Sequence, residues 1–194
     1  VAAIVLAAGR SSRMGSAKLL EPLQGRPMVR WAVEAALLSS ARPVLVVTGH
    51  RADEITAALR DLDVTFVHNP DYAQGMASSL RAGVSVVDHA DAAVVCLGDM
   101  PRVTADHIDR LIAAFDPASA PIVVPTHDRK RGNPVLWARR FFPEIEDLRG
   151  DVGARALLDR HAEQVHLLPI DDPGILLDID TPQALALLRD DERP

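Results

Sequence analysis

The amino-acid sequence predicts an α/β fold: one Rossmann-like domain whose mostly parallel sheet is covered by helices on both faces. Three observations lead there. Short apolar runs alternate with stretches of helical length along nearly the whole chain, the pattern of βαβ units. A length of 194 residues suits one domain with a sizeable core, and no repeat, low-complexity tract or linker divides it. Hydrophobic content of 48% and charged content of 25% are those of an ordinary globular chain, while aromatics at 4% leave the core to aliphatic side chains.

The elements follow in order. The first strand, Val1–Ala7, breaks at Gly9 into a small polar loop carrying Arg10, Ser11, Ser12, Arg13 and Lys18. Pro27, suited to a first turn, opens a helix over Met28–Leu38. Strand Val44–Thr48 and helix Asp53–Arg60 flank a GHR turn, and strand Val64–His68 leads through NPDYAQG into helix Met76–Val86. Strand Ala92–Leu97 ends in GDMP; Thr104 then caps Ala105–Phe115, with Asp106 in the first turn. After strand Ile122–Pro125 the alternation fails. Residues His127–Asp151 hold a charged turn, a short strand (Pro134–Trp137) and broken helical pieces, an insertion expected over the carboxyl ends of the strands, where ligands bind. Arg129 and Lys130 read as a solvated hairpin tip. Helix Gly153–His161, strand Val165–Leu168 and helix Pro182–Arg189 finish the domain, taken as residues 1–190, with 191–194 a frayed tail.

Composition narrows the partners. A net charge of −6 argues against general nucleic-acid binding, which needs a basic face, but a few local cations suffice for a nucleotide. The single cysteine, Cys96, sits in an apolar run and reads as a small buried hydrophobe; without a disulfide framework the chain suits a reducing cytoplasm. No apolar stretch approaches a membrane span, and the N-terminal run lacks the basic flank of a signal peptide. The chain opens at Val1 directly on a strand, which fits either a trimmed chain or a domain cut from a longer protein.

Three constellations carry chemistry. A buried strand running into a Gly/Ser loop with fixed cations suits phosphate oxygens, since free N–H groups form an anion-binding concavity. It is neither G-x-x-x-x-G-K-[ST], because Leu19 follows Lys18, nor G-x-G-x-x-G, because position 11 is serine. Asp99, just past a buried strand, can hold a hard divalent cation against phosphates, or else serve as a turn aspartate. Asp178 and Asp180, two apart on one strand face, offer a second carboxylate; either can complete a metal site, while Asp180 or Thr181 can cap the following helix. In the NPDYAQGMASS segment Gly75 allows close backbone approach, and Gln74 and Ser79 can read a base edge; Ser78 fits a helix cap better. The seven histidines show no metal spacing, and no Ser/His/Asp pattern appears.

The string LAAGRSSRMGSAK resembles the signature of the nucleotidyltransferases, L-A-A-G-x-S-x-R-M-G-x-x-K. Together with QGMASS, GDMP, RGNPVLW, GDVGAR and DIDTP it looks like the molybdenum cofactor cytidylyltransferase branch, similar also to molybdopterin-guanine dinucleotide synthases, from Ala3 to about Leu188. The resemblance implies a nucleotide-diphospho-sugar transferase-like fold and transfer of CMP from CTP to the terminal phosphate of a molybdopterin-type cofactor, with Mg²⁺ and release of pyrophosphate. It implies that Arg13 and Lys18 hold the phosphates, that Asp99 and Asp180 hold Mg²⁺, and that the turn Leu6, Ala7, Ala8 and Gly9, with Gln74 and Ser79, reads the base. Asn133, Trp137, Gly150 and Asp151 would face the acceptor. Two departures fall in that last part: the family often has His at Asn133 and Lys at Val152. A Cβ on Ala8 is expected to narrow the base floor and favour a pyrimidine. A molybdoenzyme or cofactor-insertion protein is an expected partner. A guanylyltransferase on the same cofactor, a sugar- or polyol-phosphate nucleotidyltransferase and a non-catalytic cofactor-binding chaperone remain alternatives.

Overall fold

A computed structural model describes residues 1–9, 17–150, 154–181, 183–185 and 188. Its strands are β1 (Ala2–Ala7), β2 (Pro22–Leu23), β3 (Arg26–Pro27), β4 (Val44–Thr48), β5 (Thr65–His68), β6 (Ala92–Leu97), β7 (Ile122–His127), β8 (Lys130–Arg131), β9 (Val135–Ala138) and β10 (Val165–Pro169). Its α-helices are α1 (Met28–Leu38), α2 (Ala52–Ala58), α3 (Met76–Val84), α4 (Ala105–Ala114), α5 (Phe142–Glu146) and α6 (Arg155–Arg160). The main sheet runs β10-β7-β9-β6-β1-β4-β5, with β8 paired to β7. β1 lies parallel between β4 and β6, and β10 parallel to β7.

Strand alternation on β1 separates two cores. Ala3, Val5 and Ala7 pack with Val29, Val33, Ile55, Ile108 and Leu111, so α1, α2 and α4 cover one face. Ala2 and Ile4 pack with Leu80, Val84, Ile145, Leu157 and Leu158, so α3, α5 and α6 cover the other. Burial on both sides explains why the central strands read as unbroken apolar runs. Thr104 caps α4 as expected: its hydroxyl accepts from the His107 N–H, and its own N–H donates to His107 Nδ1.

The inserted segment departs from expectation. Its strand, β9, does not lie over the carboxyl edge; it enters the sheet antiparallel between β6 and β7, with Val95 opposite Val135 and Trp137 between Ala93 and Ile122. The apolar run Val135–Ala138 is buried throughout, which requires a place inside the sheet. The preceding hairpin, β7–β8, turns at Asp128 and Arg129, both at positive φ, with Arg129 and Lys130 exposed. A second hairpin, β2–β3, turns through Gln24 and Gly25, again both at positive φ, as a two-residue hairpin turn demands.

Candidate active site

The carboxyl ends of β1 and β6 face the same edge because the two strands are parallel neighbours. At β6, Gly98 donates its N–H to the Leu6 carbonyl at 3.0 Å. A methyl at position 98 would stand 3.0 Å from that same oxygen, so glycine is what lets the chain turn tightly against β1 and present Asp99. After the loop that follows β1, Lys18 opens a single 3₁₀ turn (Lys18–Leu20) whose Leu19 packs into the α1 core. That anchor leaves Lys18 only 7% exposed.

The ammonium of Lys18 donates to Asp99 Oδ2 and to Asp180 Oδ1, each at 2.7 Å. Burial alone would lower the Lys18 pKa; the attraction of Asp99 and the hydrogen bonds from both carboxylates outweigh it together and hold it above the ordinary lysine range. Lys18 is therefore a fixed positive charge at neutral pH.

Asp180 reaches this point on a strap that crosses the carboxyl edge from β10. Ile170 N–H bonds the Thr126 carbonyl, Asn133 N–H bonds the Ile175 carbonyl, and Ile179 N–H bonds the Asp99 carbonyl. Ile175 and Ile179, fully buried, pin it down. At its start, Asp172 accepts from Gly174 N–H at 2.7 Å and stands 3.2 Å from Nε2 of the buried His107. The Thr104 N–H donates to His107 Nδ1, which leaves Nε2 as the ring nitrogen on the Asp172 side. The strap distinguishes the two acidic candidates: Asp180 turns to Lys18, while Asp178 is exposed.

Two carboxylate oxygens converging on one cation are a donor set for a hard divalent ion, and the ammonium already seated between them shows that the geometry accepts a cation. Among the described residues no group of three or more His, Cys, Asp or Glu gathers to hold a metal, so phosphates would have to supply further ligands.

The other expected residues divide. Arg10, Ser11, Ser12, Arg13 and Asp151 lie outside the described residues. Ala7 and Ala8 are buried in the two cores, and the Ala8 carbonyl accepts from the His50 N–H. The Ala8 methyl, expected to form a floor for the base, lies in the core with Ile4 and Leu45, 2.9 Å from where a Cβ on Gly49 would stand. Gly9 is exposed. Gly75, at φ 105°, starts α3, and the exposed Gln74 bonds Asp71 at 2.9 Å. Ser79 is buried with Ser78, and both hydroxyls accept from the Asn69 amide, so Ser79 helps fix the turn after β5. Trp137, 1% exposed, packs edge-on against Phe141 at the amino-terminal end of β6, and the expected contact with an acceptor is corrected accordingly. Asn133 is half-buried at the carboxyl edge beside the strap, whereas Gly150 is exposed after α5.

Sequence reasoning did not single out Asn69, the His50–Tyr72 ring pair beside β1, or the His107–Asp172 contact. The first had a signal, a carboxamide directly after a strand; the others join distant segments. A groove of about 540 Å³ lined by Leu23, Trp31, Leu38, Pro101 and Val103 lies on the α1 and α4 flank and includes none of Lys18, Asp99 and Asp180. Burial pushes the Cys96 thiol up to about 12, which makes it inert. No helix among the described residues is long and apolar enough to cross a membrane.

The profile of the MobA-like NTP transferase domain matches residues 3–165. The chain belongs to that family. It is 30% identical to the molybdenum cofactor cytidylyltransferase of Escherichia coli K12, over 92% of this chain and 90% of that one. It is 29% identical to nicotine blue oxidoreductase of Paenarthrobacter nicotinovorans, over 93% and 92%. Rv0371c of Mycobacterium tuberculosis H37Rv superposes with a TM-score of 0.88 at 28% identity, covering 97% of this chain and 96% of that one, and has also been solved as a complex with manganese. As a MobA-like transferase the chain is an α/β nucleotidyltransferase, and its Lys18, Asp99 and Asp180 meet at the carboxyl edge of a fold shared with these relatives.

Proposed function

We propose that the protein transfers CMP from CTP to the terminal phosphate of a molybdopterin-type cofactor, releasing pyrophosphate, with Mg²⁺ held by Asp99 and Asp180. The observation that carries this reading is the buried cation between two carboxylates at the end of β1 and β6. It is joined to the family match and to a cytidylyltransferase relative that spans nearly the whole chain.

The chemistry asks little of a general base. A phosphate monoester loses its second proton near pH ~6, so the acceptor is already a nucleophilic dianion at neutral pH. Catalysis is then positioning and charge neutralisation. Lys18, a point charge on a flexible stem, follows the charge that develops on the leaving pyrophosphate, with Arg13 beside it. Asp99 and Asp180 orient the metal, which when bound withdraws charge from the phosphate oxygens. The exposed Gly9, at the end of the turn from β1, would meet the nucleotide, and the half-buried Asn133, on the strap side, would face the acceptor.

The test is pyrophosphate release with CTP, GTP, ATP and UTP, each with the pterin acceptor and with a sugar phosphate, before and after chelation. The expected outcome is turnover with CTP and pterin at least ~10-fold above GTP in kcat/KM, abolished by EDTA and restored by Mg²⁺. Preference for GTP moves the protein to guanylyl transfer. Turnover only with the sugar phosphate replaces the acceptor, and no turnover with any pair refutes the reading.

A further inference from the structure

We propose that Lys18 is a stand-in cation: in the nucleotide-free protein its ammonium occupies the place between Asp99 and Asp180 that a divalent metal takes once nucleotide is bound. This rests on the nucleotidyltransferase reading and deepens it by setting the order in which ligands arrive. Metal and nucleotide come together, because the metal gains its carboxylates only when phosphates draw Lys18 away.

Geometry and charge carry the argument. Both carboxylates direct an oxygen at one nitrogen, each at 2.7 Å, so a single point in the site already satisfies both. The side chain that fills it is tethered by the buried Leu19 and is itself buried, so the ammonium competes as a permanently local ion. A second cation of charge two, placed within a few ångströms of a buried ammonium, meets repulsion that solvent screens poorly. Nor does the site offer compensation: among the described residues no third carboxylate, imidazole or thiolate joins the pair. Mg²⁺ held by one or two carboxylates ordinarily takes its remaining ligands from substrate phosphates and water. Phosphates resolve both problems, supplying oxygens to the metal and an alternative anion to Lys18. The lysine thus bridges the two carboxylates and leaves them when its replacement arrives.

The test uses Mn²⁺ alone, titrated into the full chain without nucleotide, with free Mn²⁺ read by electron paramagnetic resonance. Lys18→Met should bind one Mn²⁺ at least ~10-fold more tightly than the wild-type protein, because the competing charge is gone. Lys18→Arg, which keeps a cation, should show no gain, and adding Asp99→Asn to Lys18→Met should abolish it. Equal or weaker Mn²⁺ binding by Lys18→Met overturns the proposal. A second measurement needs no variant to fold: wild-type crystals soaked in Mn²⁺ should show anomalous density between Asp99 and Asp180 only when CTP is also present. Lys18 Nζ should then stand beyond ion-pair reach of both carboxylates, more than about 4 Å away. Metal between the carboxylates with Lys18 still bridging them overturns the proposal as well. If no nucleotide binds by calorimetry while the Lys18→Met gain persists, the stand-in cation holds and the nucleotidyltransferase reading falls.

Discussion

Replacing the two acidic residues of the Leu176–Pro182 segment one at a time gives opposite expectations, although sequence spacing treats them alike. Asp180→Asn removes a charge 2.7 Å from Lys18 Nζ. At an effective dielectric of about 20, two unit charges at that distance attract by about 6 kcal/mol before desolvation is counted. The Asp180 side chain is 38% exposed, so screening leaves a net loss of stability of only about 1 kcal/mol. The effect on catalysis is larger, because Asp180 is proposed to hold the metal that neutralises the developing phosphate charge, and losing such stabilisation costs about 3–4 kcal/mol in the transition state. Asp180→Asn should therefore lower kcat/KM about 100- to 1,000-fold while the protein stays folded. Asp178→Asn, at an exposed position, should stay within about threefold of the wild-type rate. Pyrophosphate release at saturating acceptor, with circular dichroism to establish folding, measures both. Equal losses in the two variants, or an unimpaired Asp180→Asn, would refute the assignment of the strap carboxylate.

Three further expectations rest on other contacts. Gly98→Ala forces a methyl against the Leu6 carbonyl, so it should displace Asp99 and cut kcat at least ~10-fold with nucleotide binding little changed; unaltered kcat, read in the same assay, counts against the tight turn. His107→Ala removes the capping partner of Thr104 and the contact to Asp172, and should cost about 1–2 kcal/mol in urea denaturation, where a loss under about 0.5 kcal/mol contradicts it. Hydrogen bonds from Arg30 hold the Asp61 carboxyl down to about 2, below the ordinary aspartate value of 3.8. The stabilisation is present above the unfolded value and vanishes as pH falls through the folded one. The difference in Tm between wild type and Asp61→Asn should therefore shrink from pH 5 to about pH 2, and a constant difference excludes the ion pair as its source.

What the sequence disclosed followed from local rules. Strand runs buried on both faces, Pro27 before α1 and the Thr104 cap announce themselves within a few residues, and α1 spans Met28–Leu38 as expected. Lys18, Asp99 and Asp180 were each legible as chemistry-bearing types at strand ends, and the fold brings them to one point. Direction and partnership were not legible. Four apolar residues such as Val135–Ala138 fit a strand of either sense, and only the competition for sheet positions put β9 antiparallel in the middle. Ser79 has the chemistry to read a base, but its hydroxyl is claimed by Asn69, ten residues away. Spacing placed Asp178 and Asp180 on one face; the hydrogen bond between Ile179 and Asp99, 80 positions apart, decides which one turns inward.

β9 has a consequence for how the chain reaches its native state. β6, β1, β4 and β5 form a parallel set complete by Leu97, and β7 and β10 form another, yet the two touch in the sheet only through the four residues of β9. During synthesis the first set can assemble while the β6 edge waits, unpaired, until residue 138 has been made; β7, although made earlier than β9, has only the two-residue β8 beside it until then. Closure of the sheet is thus a late, long-range event of the kind that slows folding. It is also the event that first aligns the half of the molecule bearing Asp99 with the half bearing Asp180, so the acquisition of charge complementarity around Lys18 and the completion of the backbone are one step.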